Sequence, residues 1–176
     1  MASLVIIMGP TGAGKSVQSE LLAQAYGWTH IASGNLLRAQ PDIAARLVSG
    51  DLAPAHEVER LVGNALRSAQ PNQVVILDGF PRVLEQAKWL DKHLTDWALT
   101  ILTIIHLDIT RTTSECRLAQ RHRADDLASA LERKWQAYQD RTIPVMRYYE
   151  SRGLLKRVDA NGSVEEVYER ITQVFS

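Results

Sequence analysis

Three apolar runs, at 3–8, 74–77 and 101–107, interrupt an otherwise mixed chain and are rich in β-branched residues. Runs this short, apolar without alternation, suit strands buried on both faces, as in the centre of a parallel sheet. Weaker runs at 29–31 and 154–158 bring the expected sheet to about five strands. Between them the period changes. Leu21, Leu22 and Ala25 recur at helical spacing within 16–26, and Gly27 closes that segment. Helices are expected likewise over 83–94, 111–120, 127–149 and 164–175. Such alternation predicts an α/β domain whose parallel sheet carries helices on both faces. In such sheets ligands sit beyond the carboxyl ends of the strands.

Two stretches depart from the pattern. Residues 34–72 hold helical pieces broken by Pro41, Gly50, Pro54 and Pro71, with no strand between them. Residues 117–126 gather Arg117, Arg121, Arg123, Asp125 and Asp126 into a short polar segment. Both read as excursions from one core domain spanning 1–176, of the kind that carries substrate contacts or a lid.

Composition narrows the class by exclusion. The chain has 176 residues, enough for one packed domain and short for two. Its 20 basic and 20 acidic residues balance, so there is no bulk attraction to nucleic acid or to an anionic membrane. No apolar run is long enough to span a bilayer, and the first is too short for a leader. Cys116 is the only cysteine, which excludes an internal disulfide and suits a reducing compartment. The expectation is a cytoplasmic monomer, since no long exposed apolar stripe is evident.

The chemistry begins where the first apolar run ends. Gly9-Pro-Thr-Gly-Ala-Gly-Lys-Ser16 fits G-x-x-x-x-G-K-[S/T] and stands between an expected strand and an expected helix. Gly12 and Gly14 let successive backbone N–H groups curl around phosphate oxygens. Lys15 adds a positive charge near the outer phosphates, and the Ser16 hydroxyl can ligate Mg²⁺. A second constellation, Leu77-Asp-Gly-Phe-Pro-Arg82, closes the run at 74–77. Asp78 at a strand end beside a phosphate loop suits a Mg²⁺-bound water or the Ser16 hydroxyl. Arg82 offers a planar guanidinium that can grip two phosphate oxygens. Read alone, Asp78 could equally be a cap and Arg82 a surface ion pair.

Taken together these segments resemble the adenylate kinases of the nucleoside monophosphate kinase family, nearly end to end. Gly9 to Gln18 is similar to the family's donor-phosphate loop, and Ala32 to Arg38 to its Ser-Thr-Gly-Asp-x-Leu-Arg acceptor motif. Asp78 to Gln86 matches Asp-Gly-Phe-Pro-Arg-x-x-x-Gln, the most specific of the signatures. Arg117-x-x-x-Arg121 and Arg123-x-Asp125-Asp126 resemble the borders of the family's lid, and 144–149 and 158–164 continue the agreement.

The resemblance implies a three-layer α/β/α P-loop kinase fold, with an acceptor-binding excursion at about 33–65 and a minimal lid at about 117–126. It implies transfer of the γ-phosphoryl group of Mg·ATP to a nucleoside monophosphate. On the donor side Gly12, Ala13, Gly14, Lys15, Ser16 and Val17 would hold the ATP phosphates. Arg117 would lie against the donor adenine, Arg121 would reach its phosphates, and Gly162 would offer backbone near the base. On the acceptor side Ser33, Arg38, the backbone of Asp51, Leu52 and Ala53, then Gly79, Phe80, Pro81, Arg82 and Gln86 would hold the monophosphate. Arg123 and Lys134 would bridge both nucleotides. The metal would be Mg²⁺, held by Ser16 and, through water, Asp78. The partners are ATP and a monophosphate, with neither nucleic acid nor membrane. A hydroxyl at Ser33, together with Gln86, points to AMP; UMP, CMP or another small acceptor stays open, as does a nucleotide-binding regulator.

Several positions depart from the family pattern. The segment between Arg38 and Gly50 lacks about two helical turns. Only His122 separates Arg121 from Arg123, so the lid is shorter still and weak exclusion of water is expected. The chain lacks the cysteines of a structural zinc site. Asn35 stands where aspartate is usual, removing a charge from the metal's surroundings. Lys134 stands where arginine is usual, with Arg133 beside it, and lysine loses the bidentate grip. Elsewhere, Cys116 reads as a small buried residue, Asp108 as a helix cap or metal contact, and the histidines at 30 and 106 show no ligand spacing.

Overall fold

The structure is a computed structural model that describes residues 1–47, 53–120 and 128–176. Its sheet follows the apolar runs: β1 (Ala2–Met8), β2 (Thr29–Ala32), β3 (Val74–Asp78), β4 (Leu99–Asp108) and β5 (Leu155–Asp159). All pairings are parallel, in the order β2-β3-β1-β4-β5. β1 is central and is sealed on both sides, so Leu4, Val5, Ile6 and Ile7 are wholly buried.

Alternation along β1 divides the core in two. Leu4, Ile6 and Met8 join one apolar cluster; Val5 and Ile7 join the other. The first is covered by α2 (Ser33–Arg38), α4 (Ala55–Arg67), α5 (Leu84–His93) and α8 (Ile143–Glu150), through Leu37, Val62, Leu90 and Tyr149. The second is covered by α1 (Lys15–Tyr26) and α9 (Val164–Thr172), through Leu22, Val167 and Ile171. The result is the three-layer α/β/α arrangement expected, because each strand buries both faces and each helix one stripe. No helix among the described residues is long and apolar enough to cross a membrane.

The excursion at 34–72 resolves into α2, then α3 (Pro41–Leu47) and α4, with no strand among its described residues. The expected single helix over 127–149 is instead α7 (Ala128–Ala137), a π-helical turn (Tyr138–Thr142) and α8. The apolar stripe continues across the turn, so periodicity alone read one helix. α6 (Arg111–Ala119) is capped by Thr110, whose Oγ1 accepts from Thr113 N at 3.2 Å. Asp108 is therefore not the cap; it pairs with Arg157 at 3.6 Å and does not line the cavity described below. Cys116 is exposed on α6, on the face turned from the core.

His106 is the polar exception on β4. It is fully buried, and its Nε2 shares a 2.7 Å hydrogen bond with the Tyr138 hydroxyl, tying the π-turn to the sheet. Asp108 Oδ1 stands 3.0 Å from Nδ1 but off the line of a hydrogen bond. Burial, aided by Arg157 and Lys15, holds the His106 pKa below its ordinary value against the opposing pull of Asp108. The folded protein then binds fewer protons than the unfolded chain below about pH 6.5, the usual histidine value. Stability from neutral His106 is present above that pH and declines as the pH falls toward the folded pKa, by at most about 1.4 kcal/mol per pH unit. Urea unfolding between pH 5 and 8 should show this slope in the wild type and a flatter one in His106→Gln. Parallel slopes would refute it.

Candidate active site

Where β1 ends, the chain turns through Gly9 to Ser16 and enters α1 at Lys15. Gly12 has φ 74°, and a Cβ there would lie 2.6 Å from Ser114 Oγ and 2.9 Å from the Ser114 carbonyl oxygen. Conformation and space both demand glycine. The contact fixes the loop, because fully buried Ser114 donates to Thr11 O at 2.8 Å. Arg117, one turn on, donates to the carbonyls of Ala160 and Gly162, both at 2.8 Å, and more weakly to Gly12 O at 3.4 Å. Arg117 and Gly162, distant in sequence, are thus brought together beside the loop. Lys15 Nζ donates to Gly9 O at 2.9 Å and Pro10 O at 2.8 Å, which holds the ammonium across the mouth of the loop.

Parallel pairing places Ile7 beside Asp78 and Ala32 beside Asp78, so β3 ends next to the loop. Ser16 donates to Asp78 Oδ2 at 2.6 Å. Asp78 is 4% exposed. Burial alone would raise its pKa, but His30, Lys15 and the Ser16 hydrogen bond together outweigh burial and hold it below the ordinary value. His30 Nε2 stands 3.8 Å from Asp78 Oδ2, just beyond hydrogen-bond distance. An ionised carboxylate and a hydroxyl at adjacent positions are the hard oxygen donors that Mg²⁺ takes. Among the described residues no group of three or more His, Cys, Asp or Glu could hold a metal. A cation here would need further ligands from water and phosphate, the usual habit of Mg²⁺.

The turn after β3 forms the other wall. The Phe80–Pro81 peptide is cis, and Phe80 is buried edge-on to Trp89. Arg82 Nε donates to Gly79 O at 2.8 Å, and Arg82 N donates to Gln86 Oε1 at 2.9 Å. Gly79 has φ 78°, and a Cβ would sit 2.8 Å from Ser33 Oγ. That hydroxyl is 1% exposed and lacks a hydrogen-bond partner, an arrangement that costs free energy unless a ligand supplies one. Arg38 donates to Asn35 Oδ1 at 2.8 Å, so Asn35 serves the arginine and does not line the cavity.

These walls enclose one cavity of about 700 Å³. It brings together Gly12 to Val17, Ser33, Arg38, Ala53, Asp78 to Arg82, Gln86, Arg117 and Lys134. Arg133, the alternative to Lys134, is exposed and does not line it. Gly162 reaches the site through Arg117 and is not itself part of the lining. Asp51, Leu52, Arg121 and Arg123 lie outside the described residues. Sequence reasoning missed His30, Ser114 and Arg141. The first two act through neighbours far away in sequence, which no local pattern reveals. Arg141 did carry a signal: Lys134, Ala137, Tyr138 and Arg141 follow i, i+3, i+4, i+7 spacing and all line the cavity. The charged residues of the described lining are Lys15, Arg38, Arg82, Arg117, Lys134 and Arg141 against Asp78 alone. So positive a cavity suits polyanions.

Comparison with known proteins agrees with this geometry. Residues 7–154 match the family model described as adenylate kinase. The adenylate kinase of Thermus thermophilus is 35% identical over 182 residues, covering 95% of this chain and 94% of that protein. That of Parasynechococcus marenigrum is 35% identical over 185 residues, covering both chains completely. That of Rhodopirellula baltica is 34% identical, covering 96% of this chain and 93% of its own. With a phosphate loop, an Asp78–Arg82 turn facing it and agreement along nearly its whole length, the chain belongs to the adenylate kinase family.

Proposed function

We propose that the protein transfers the γ-phosphoryl group of Mg·ATP to AMP, giving two ADP. The observation that carries this reading is that the phosphate loop and the Asp78–Arg82 turn open onto one cationic cavity. A switch that only bound ATP would have no use for the second wall.

The attacking oxygen of a monophosphate is already ionised, so no general base is needed. The work is to overcome repulsion between two anions and to stabilise charge on the group in transit. Gly12 to Val17 cradle the donor phosphates with backbone N–H groups, and α1 turns its positive end toward them. Lys15 exchanges its carbonyl partners for phosphate oxygens. Arg38 and Arg82 hold the acceptor phosphate, while the unpartnered Ser33 hydroxyl and Gln86 face the acceptor base. Lys134 stands between the two sides. Mg²⁺, when bound, neutralises charge on the donor phosphates; Ser16 and, through water, Asp78 would hold it. One well-placed cation in such a reaction is worth about 4–7 kcal/mol of barrier.

The excursion at about 33–65 binds the acceptor, and the short segment at about 117–126, with Arg121 and Arg123, covers the donor. The protein acts as a cytoplasmic monomer. Among the described residues the exposed large apolar ones are Met1, Val17, Tyr26, Leu102 and Val164, of which Val17 and Val164 line the cavity. An exposed Cys116 suits reducing surroundings.

ADP formation measured across AMP, UMP, CMP and GMP should show kcat/KM for AMP at least about tenfold above the others, the discrimination expected of a pocket that hydrogen-bonds its base. No rate increase with any monophosphate would sink the reading; preference for a pyrimidine would move the acceptor. Asp78→Asn should lower turnover or apparent Mg²⁺ affinity about 10–100-fold. An unchanged Mg²⁺ titration would remove Asp78 from the metal's surroundings. The short lid should also leave measurable ATP hydrolysis when AMP is withheld.

A further inference from the structure

We infer that Arg141 is a phosphate-binding residue of this site, gripping the acceptor phosphate beside Arg82; the inference rests on the phosphotransfer reading above. Arg141 lies in the π-helical turn between α7 and α8 and lines the cavity together with Lys134. Among the described residues its guanidinium has neither a hydrogen-bond nor an ion-pair partner, unlike Arg117 or Arg111 nearby. π-turns are rare and collect at functional sites, where they re-aim side chains that a regular helix would misplace.

The turn is held at both ends. Tyr138 is hydrogen-bonded to buried His106 at 2.7 Å, and Thr142 Oγ1 donates to Arg82 O at 3.0 Å. The second contact fixes Arg141 next to the acceptor turn, one residue from the backbone that carries Arg82. An unpaired cation held there at an anion site has an evident ligand. The chemistry also complements Lys134. An ammonium offers a point charge, whereas a guanidinium offers two parallel N–H donors matched to two phosphate oxygens. Lys134 and Arg141, two turns apart on one stripe, together supply the charge and the fork.

The test is Arg141→Ala, with Arg141→Lys and Arg147→Ala beside it. Arg147 is an exposed arginine on α8 that does not line the cavity, so its removal controls for net charge. Expected for Arg141→Ala is a fall of about 10²–10³-fold in kcat/KM for AMP. KM for ATP should shift less than about threefold and the thermal midpoint should stay, since no intramolecular partner is lost. Arg141→Lys should retain part of what Arg141→Ala loses, and Arg147→Ala should match the wild type. Calorimetric AMP affinity, which needs no turnover, should fall in parallel. If the wild type makes no ADP, the functional reading fails, and AMP affinity alone then decides the role of Arg141. Unchanged AMP affinity and kcat/KM in Arg141→Ala, or losses matched by Arg147→Ala or by a lowered midpoint, would overturn the assignment.

Discussion

Parallel pairing of β1 with β3 on one side and β4 on the other sets the position of everything at the site. Because the strands run in one direction, their carboxyl ends share an edge, and Ile7–Asp78 and Met8–His106 become neighbours. The phosphate loop, the Asp78 carboxylate and the anchor of the π-turn are thereby delivered to one line without any contact between them in sequence. A slip of one residue would turn Asp78 to the opposite face. The apolar burial of Leu4 to Ile7 on both faces makes such a slip costly. Functional geometry is thus inherited from the packing of the central strand.

The second requirement is to assemble cations before any phosphate arrives. Lys15, Arg82 and Arg117 each donate to backbone carbonyls, which position a charge without neutralising it. Arg38 donates to an amide oxygen, Asn35, where a carboxylate would have offset its charge. Asn35 thus accepts from Arg38 without bringing a negative charge of its own beside the guanidinium. Asp78 is the one acid of the described lining, and its environment keeps it ionised. Charge-assisted hydrogen bonds from these cations to phosphate oxygens are stronger than bonds between neutral groups, so a cavity lined in this way suits polyanions.

What the sequence made legible follows from range. β-branched runs and helical periods are local, so the strands, the sheet's parallel character and most helices could be read directly. Gly12, Lys15, Ser16, Asp78 and Arg82 were legible because their chemistry demands fixed spacing. Ser114, whose hydroxyl braces Thr11, and His30, which backs Asp78, were not. Each matters only through a neighbour supplied by the fold. The π-turn hid for a different reason: one extra residue in a turn leaves the apolar stripe nearly continuous, so 127–149 reads as a single helix. Asp108 misled because an acid at a strand end is an ordinary cap, and the chain places Thr110 in that role two residues later.

The contact between buried His106 and half-buried Tyr138 shows why a polar group is tolerated in an apolar layer. Burial pushes the Tyr138 pKa up to about 12, with Asp108 adding to the effect, so the hydroxyl stays neutral. It is shared with His106 Nε2 at 2.7 Å and lies 3.5 Å from Met146 Sδ. A rotation or slide of this segment would leave fully buried His106 without its Nε2 partner, at a cost of about 1–3 kcal/mol. That penalty is what holds the π-turn against the sheet. With Tyr138 pinned at one end and Thr142 at the other, the lysine and arginine stripe between α7 and Arg82 has one position to occupy. A soft apolar contact at 106 would leave the helix free to settle by packing alone, and the cavity's cations would be placed by whatever filled the core best.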